Sequence, residues 1–528
     1  MNNSLVKIKR ALLSVSDKTG LDVLAQELNN RGVEIISSGG TAKFIMNLGL
    51  PVTPIEKVTG NPEAFAGRMK TLSFQVASGL LFKRDSLEDL RQAEELKIEA
   101  IDLVVCNLYP FEEVAKRGGT LEELVENIDI GGPTMVRAAA KNYAHVTVST
   151  DPAEYRELID SLVEFDGATD LNLRKKLCLQ AFRHTALYDS LIASELEREN
   201  NVEGKTFCLS PMRAQELRYG ENPHQKGYVY QWPLGKGLAQ AKPIQGKALS
   251  YNNLLDADAA LRSALDLHQL SKNGPFKSVV TIIKHSNPCG AAMSNTSLQA
   301  LEMAWAGDPI SSFGSIICFN RELDRASADW LSSRFVEVIC APSFSDEALE
   351  IFAKKKNLRL IPVNLDELNV SDYMVRSITG GWVVQEEDEG LDEDYKVVTD
   401  IPFDDARMEL AKFGSMVCKH LKSNAIGLFS KSENGFSIIG AGMGNPNRLI
   451  SVAQSIEKAR ENGVENLSEA LLVSDAFFPF ADNIEATSKA GIKFIVQPGG
   501  SIKDQNVIDA CNETGTSMVF TGRRHFRH

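Results

Sequence analysis

The chain has 528 residues, 43% of them apolar and 24% charged, a globular composition that excludes disorder and collagen-like repetition. At about 150 residues per domain, that length predicts roughly three or four domains. Lys and Arg total 57 against 70 Asp and Glu, a formal net charge of −13. Nucleic acid and anionic membrane are therefore excluded as main partners, and a phosphorylated small molecule must be met by a few local cations and backbone N–H groups.

At the start, Lys7, Lys9 and Arg10 precede only a short apolar stretch, Ala11 to Val15. That is too short for a signal-peptide core, and no run approaches the ~18 apolar residues of a membrane helix. The eight cysteines are scattered without CxxC spacing, mostly in apolar runs such as LVVC and SIIC. They read as free, buried thiols, and the expected compartment is the cytoplasm.

Ala11 to Val15 predicts a strand, residues 16–20 a turn, and Leu21 to Asn29 an amphipathic helix. Glu34 to Ser37 predicts a second strand, leading through Ser38-Gly39-Gly40-Thr41 into another helix. Ile101 to Cys106 and His145 to Ser149 are further apolar strands, and a long helical stretch runs from about residue 165 to 200. Such alternation predicts an α/β fold with a parallel sheet covered on both faces. Ligands of such sheets sit at the carboxyl ends of the strands. The polar run Glu197 to Gly204 marks a boundary.

Beyond it, two halves repeat one pattern. Strands are predicted at 279–283, 315–318 and 336–340, then at 425–429, 436–439, 470–473 and 493–496, with helices near 297–306, 325–335 and 345–355. Glu386 to Asp394 holds seven acids in nine residues, which reads as a solvated surface loop.

Two turns, Ser16-Asp17-Lys18-Thr19-Gly20 and Ser38-Gly39-Gly40-Thr41, follow strands and open helices. They could simply cap those helices. Their hydroxyls, flexible backbone and helix N-termini equally suit an anion, and the basic run Gly67-Arg68-Met69-Lys70-Thr71 favours phosphate. Tyr109 and Asp129, with Lys70 and Lys141, can form a proton-handling cluster near one sheet edge, because a desolvated lysine titrates nearer neutrality. Taken singly, Tyr109 reads as packing and Asp129 as a cap.

In the second part, Lys284 and His285 leave a buried strand side by side, followed by Asn287-Pro288-Cys289 and a turn at Gly290. The lysine would keep His285 neutral and basic near pH 7. Pro288-Cys289 raises a deaminase-type zinc site, but position 292 is Ala and Asn287 stands where that motif needs Glu, so no metal is expected. Gly440 to Gly444 fails the dinucleotide spacing because residue 445 is Asn.

As a set, the motifs resemble one family, the bifunctional purine-biosynthesis enzymes combining AICAR transformylase and IMP cyclohydrolase. SDKTGL (16–21), SGGTAK (38–43), GRMKTL (67–72), NLYPF (107–111) and IDIGGPTMVRAAAKN (128–142) resemble the cyclohydrolase part. LRYGENPHQ (217–225), LSYNNLLDAD (249–258), KHSNPCG (284–290), SSFG (311–314), SDAFFPFADN (474–483), QPGGSI (497–502) and RHFRH (524–528) resemble the transformylase part. The resemblance implies a methylglyoxal-synthase-like parallel-sheet domain (1–200) followed by two cytidine-deaminase-like α/β subdomains (205–375 and 376–528). It further implies a homodimer with transformylase sites at the interface, 10-formyltetrahydrofolate as co-substrate, no zinc, and room for a monovalent cation.

The implied chemistry is formyl transfer to the 5-amino group of AICAR, then dehydrative closure of formyl-AICAR to IMP. His285 would be the base of the first step, Lys284 would stabilise charge, and Asn424 would position the transferring group. Arg218, Tyr219, His224, Asn253 and Arg524 match AICAR-binding positions, and Phe477, Pro479 and Asp482 the region near the folate. Lys70, Tyr109, Asp129 and Lys141 match the cyclohydrolase's catalytic positions. Ser16, Lys18, Thr19, Gly20, Ser38, Gly40, Thr41, Arg68 and Thr71 match its substrate-binding positions.

The chain departs from the family pattern at Ser73-Phe74 (commonly His-Pro), Ala481 (commonly Arg) and Asn445 (usually Gln). Two other readings remain: a transformylase whose cyclohydrolase is impaired by the Ser73-Phe74 departure, and a non-catalytic nucleotide sensor, against which the Lys284-His285 pair argues.

Overall fold

The computed structural model describes residues 5–200, 206, 208, 211–368, 373–392 and 394–528. These form two compact units, one ending at Met212 with Trp232–Leu234 added, the other comprising Arg213–Gln231 and Gly235–His528. Residues 201–205 of the expected boundary, and Glu393 of the acidic run, lie outside the described residues.

The first unit is built on five parallel strands, in spatial order Thr53–Pro54, Glu34–Ser37, Arg10–Leu13, Leu103–Val105 and Thr147–Ser149. Successive strand residues point to opposite faces, and here both faces are buried. Leu12, Ile36, Val104 and Val148 enter one apolar core, while Ala11, Leu13, Ile35, Leu103 and Val105 enter the other. That double burial is why these strands read as unbroken apolar runs. Helix Leu171–Asn200, about 45 Å long, packs Leu177, Ala181 and Tyr188 inward. Its fully buried Arg174 donates to the carbonyls of Tyr143, Ala144 and Thr169.

The second unit carries one eleven-stranded sheet whose two halves share a topology. In the first half, hairpin Ser278–Lys284/Asn287–Ser294 is extended by Ser315–Phe319 antiparallel to its first strand, then by Val336–Ala341 and Arg359–Pro362 in parallel. In the second, hairpin Ile426–Ser432/Gly435–Gly442 is extended by Leu471–Ser474, Phe494–Gln497 and Ser517–Phe520 in the same senses. The halves join at the centre, where Ala292 faces Ser437 and Met293 faces Phe436.

Two sequence expectations need correction. Gly290 is not in a turn: it lies within strand Asn287–Ser294, where an added Cβ would come 2.1 Å from the Ala304 carbonyl. Its missing side chain lets helix Ser297–Ala306 pack against the strand. The acidic run is solvated only in part, with Glu386, Glu389 and Asp394 exposed. Asp392 is 6% exposed and, with Asp388, brackets His525, while Glu387 pairs with Arg262 at 2.9 Å.

The hairpin Tyr373–Ile378/Gly381–Glu386, which the residue pattern did not announce, exposes apolar side chains, Trp382 at 65% and Ile378 at 53% among them. Among the described residues no helix is long and apolar enough to cross a membrane. The cysteines are free; Cys208 is exposed and the others are buried or half-buried.

Candidate active sites

In the first unit the named residues gather at the carboxyl edge of the parallel sheet. Asn107, just past strand Leu103–Val105, accepts from the backbone N–H groups of Ser16 (2.6 Å) and Asp17 (3.0 Å) and donates to the Asp17 carbonyl (2.9 Å). This ties the 16–20 turn to the neighbouring strand end. Gly20, at φ +69, opens helix Leu21–Asn30, and Ser38 opens Gly39–Asn47; neither helix start has a side-chain cap. Capping is therefore not what these hydroxyls do. Thr41 is different: buried, its hydroxyl exchanges hydrogen bonds with the N–H and carbonyl of Val15 at 3.0 Å each. It is committed to the scaffold.

Lys70 approaches the 38–41 turn. Its ammonium pairs with Glu63 at 3.2 Å and lies so close to Gly39 that a Cβ there would stand 2.6 Å away. Arg68 pairs with Glu126, and Lys18 donates to the Ser16 carbonyl at 3.2 Å. The hydroxyl of Thr71 would stand 2.5 Å from a Cβ on Gly131, and an Asp129 oxygen 2.4 Å from one on Gly132. These glycines let the start of helix Gly131–Lys141 approach both side chains.

The Asp129 carboxylate accepts from the N–H of Gly132 at 2.8 Å and from those of Tyr109 and Gly131. It does cap the helix, as its type suggests, yet burial outweighs those donors and pushes its carboxyl above the ordinary range. Tyr109 is not packing: it is 49% exposed, and burial of part of its ring, with the charges of Asp129 and Glu63, pushes its phenol up.

Lys141 lies on the same helix that Asp129 caps. It is exposed in the last turn of its helix, ten residues or about 15 Å beyond Gly131. The Ser73-Phe74 departure is absorbed locally, because Ser73 caps helix Phe74–Leu81 by accepting from the Val76 N–H and Phe74 points to solvent. Beside the cluster opens a cavity of about 550 Å³, bordered by Ser16, Asn107, Tyr109, His184 and Tyr188. Burial lowers the His184 pKa, and among the described residues its Nε2 has no hydrogen-bond partner.

In the second unit Lys284 pairs across the ladder with Asn287, leaving His285 and Ser286 as a two-residue hairpin loop. Both have positive φ, +53 and +59, as the hairpin turn matched to strand twist requires. For residues other than Gly that backbone costs energy and must be held from outside. Asp256, from the LSYNNLLDAD motif, does so by accepting from the Ser286 N–H at 2.7 Å. His285 is thereby presented to solvent, while the Lys284 ammonium turns to the Gly314 carbonyl of SSFG at 2.8 Å.

Asn287 accepts from the Lys422 N–H at 3.2 Å, which joins the hairpin to the Lys422-Ser423-Asn424 loop. The Asn424 amide is fixed at both ends, accepting from Arg448 at 2.8 Å and donating to the Asn445 carbonyl at 2.8 Å. Position 445 thus serves Asn424 through its backbone. Arg448 is paired with buried Asp475, which also accepts from Ser423 at 2.5 Å. Ser423 in turn exchanges hydrogen bonds with Arg527 of the tail. His525 is held by Asp388 (2.7 Å) and Asp392 (3.0 Å). Burial alone would lower its pKa, but those carboxylates push it up to about 9. Arg524 remains exposed beside the Phe526 ring.

Asn253 is 5% exposed and spends its amide within the protein, accepting from the Ser250 N–H and donating to Glu337. Arg218 lies over the Tyr219 ring, and the turn holding exposed His224 is joined to helix Tyr251–Asn273 by Asn252 donating to the Glu221 carbonyl at 3.3 Å. Phe477 and Pro479 are half-buried after strand Leu471–Ser474, and exposed Asp482 starts helix Asp482–Lys489, with Ala481 at its cap. Burial pushes the Cys289 thiol up to about 12, and it donates to the Ile282 carbonyl. Gly440 and Gly442 admit helix Arg448–Glu461 against their strand, where a Cβ on Gly442 would meet the Ser451 carbonyl at 2.0 Å.

Residue-type reasoning missed Glu63, Asp256, Arg448, Asp475, His184 and Tyr188. The last two carried a readable signal, polar aromatics four residues apart on an otherwise apolar helical stripe.

A family described as "AICARFT/IMPCHase bienzyme" matches residues 139–458, and an "MGS-like domain" matches 20–134. Curated relatives bear the name "Bifunctional purine biosynthesis protein PurH". The one from Persephonella marina is 44% identical over 527 residues, covering 98% of this chain and 100% of its own. Those from Lactococcus lactis subsp. lactis and Aquifex aeolicus are 44% and 43% identical, each over 98% of this chain and 100% of their own.

Proposed function

The chain belongs to the AICARFT/IMPCHase bienzyme family, and from that premise we propose how its residues divide two reactions. The enzyme transfers a formyl group from 10-formyltetrahydrofolate to the 5-amino group of AICAR, then closes formyl-AICAR to IMP with loss of water.

For ring closure, the observation that carries the assignment is the gathering of Lys70, Thr71, Tyr109 and Asp129 at the edge where two uncapped helices open. The substrate phosphate is held by the 16–20 and 38–40 turns with Lys18 and Arg68. The carboxamide nitrogen attacks the formyl carbon of its own molecule, so proximity is built into the substrate. Asp129, its carboxyl raised toward neutrality by burial, takes the carboxamide proton. Lys70 stabilises the former formyl oxygen, and Tyr109, kept protonated, donates a hydrogen bond to it. The proton taken by Asp129 and the one on the former 5-amino nitrogen leave with that oxygen as water, as its C–O bond breaks and the ring C=N bond forms.

For formyl transfer, His285 at the hairpin tip takes the proton of the AICAR amine as it attacks the formyl carbon. Lys284 and Asn424 steady the oxygen that gains charge. Arg218, Tyr219, His224 and Arg524 bind AICAR, and Phe477, Pro479 and Asp482 face the folate. The exposed position of His285 fits a site completed by a second subunit, and the apolar hairpin 373–386 is the surface we assign to that homodimer. The shared topology of the two halves supports reading 205–375 and 376–528 as repeated cytidine-deaminase-like subdomains. Free cysteines support a cytoplasmic location.

The test follows formyl-AICAR and IMP spectroscopically after mixing AICAR with 10-formyltetrahydrofolate. IMP formation without build-up of the intermediate is expected. Accumulated formyl-AICAR would show that ring closure is impaired.

A further inference from the structure

Helix Leu171–Asn200 contributes no residue to the chemistry described so far, yet one of its side chains reaches the cyclohydrolase cluster. Tyr188 is 8% exposed, and its phenol oxygen accepts from the backbone N–H of Asp129 at 2.8 Å while donating to the carbonyl of Asn127 at 3.2 Å. One hydroxyl thus closes the bend 127–129, which links helix Leu121–Glu126 to helix Gly131–Lys141.

The ring is braced edge-on by Phe111 of NLYPF, with centroids 6.3 Å apart at 74°. That motif also carries Tyr109, whose N–H donates to the Asp129 carboxylate. A rigid path therefore runs from the long helix through the phenol to the bend and the carboxylate. Burial pushes the Tyr188 phenol up to about 12, so it keeps its proton throughout the working range.

We propose that Tyr188 is a positioning residue for ring closure: by pinning both backbone groups of the 127–129 bend, it sets where the Asp129 carboxyl points. The inference rests on the reading of Asp129 as proton acceptor. It adds a residue that acts through Asp129.

Tyr188→Phe keeps the ring and its contact with Phe111 and removes only the hydroxyl. With the Asp129 N–H unpaired the bend loosens, and the N–H groups of Gly132 and Tyr109 aim less well at the carboxylate. The cyclohydrolase kcat should fall about 10- to 100-fold, with KM little changed. The acid limb of its pH profile should move to higher pH, because a carboxylate that loses donors binds its proton more tightly. Transformylase activity of the same preparation should be unchanged, which reports that the chain is folded.

Asp129→Asn is measured alone and combined with Tyr188→Phe. If Tyr188 acts through Asp129, its substitution should add little in the Asp129→Asn background. An equal loss in both backgrounds, an unmoved pH profile, or a parallel fall of both activities would overturn the proposal. A silent Asp129→Asn would instead refute the reading of Asp129. A severe Asp129→Asn with a silent Tyr188→Phe would refute the positioning role alone.

Discussion

At the edge of the five-stranded sheet, glycine-bearing turns leave two helix N-termini without a side-chain cap among the described residues, and Lys70 pairs with partly exposed Glu63. At the hairpin of the eleven-stranded sheet, His285 sits on a left-handed backbone pinned by Asp256, and Asn424 is locked by Arg448 over buried Asp475. The first arrangement suits a substrate that brings its own nucleophile, electrophile and phosphate, so the protein has only to grip and shuttle protons. The second suits two separate reactants, which require a base and an oxygen-binding group held in fixed geometry before either arrives.

The sharpest way to break this contrast is to delete each proton carrier. His285→Ala should cut transformylase kcat by ~10²–10⁴-fold and leave ring closure intact, as general-base loss typically does. A transformylase rate within threefold of wild type would sink the assignment. Lys70→Ala should do the converse, reducing cyclohydrolase by about 10²-fold with transformylase spared, checked by the two rates on one sample.

Next comes the buried support. Arg448→Met leaves Asp475 charged and unpaired inside the protein, at an expected cost of about 3–5 kcal/mol. Denaturant unfolding should show that loss together with loss of transformylase, whereas cyclohydrolase survives at low denaturant. Retained stability would mean that the lock on Asn424 is dispensable.

A smaller effect is expected from pH. The folded pKa of His525 is raised to about 9 by Asp388 and Asp392, above the ~6.5 of an unfolded histidine. Its contribution is therefore complete below about 6.5 and lost as pH rises through about 9. The affinity of transformylase for AICAR should weaken over that window through the tail bearing Arg524, and His525→Leu should remove the pH dependence. The smallest effect belongs to Ser73→Ala, which removes a helix cap worth about 1 kcal/mol and should lower Tm slightly while leaving the cyclohydrolase kcat unchanged.

The parallel sheet was legible because both faces of its strands are buried, so the apolar runs had no competing reading. Strand Asn287–Ser294 was not, because Pro288 and Gly290 are turn residues by type, and only the close passage of helix Ser297–Ala306 explains the glycine. The candidate sites were legible where a motif presents its chemistry directly, as at Lys284-His285 and residues 67–71. What the residue types did not announce is the scaffold work of two side chains: Thr41 is hydrogen-bonded to Val15, and Asn253 to Ser250 and Glu337.

By itself, then, the sequence determined the family, the alternation of apolar runs and the residue types able to move protons, since these depend on local order and composition. Only the tertiary structure decided that an acidic run clamps His525 from 137 residues away, and that Tyr188 holds Asp129 across 59. Those contacts depend on which faces meet after the sheets form, and separations of that size leave no periodic trace in the chain.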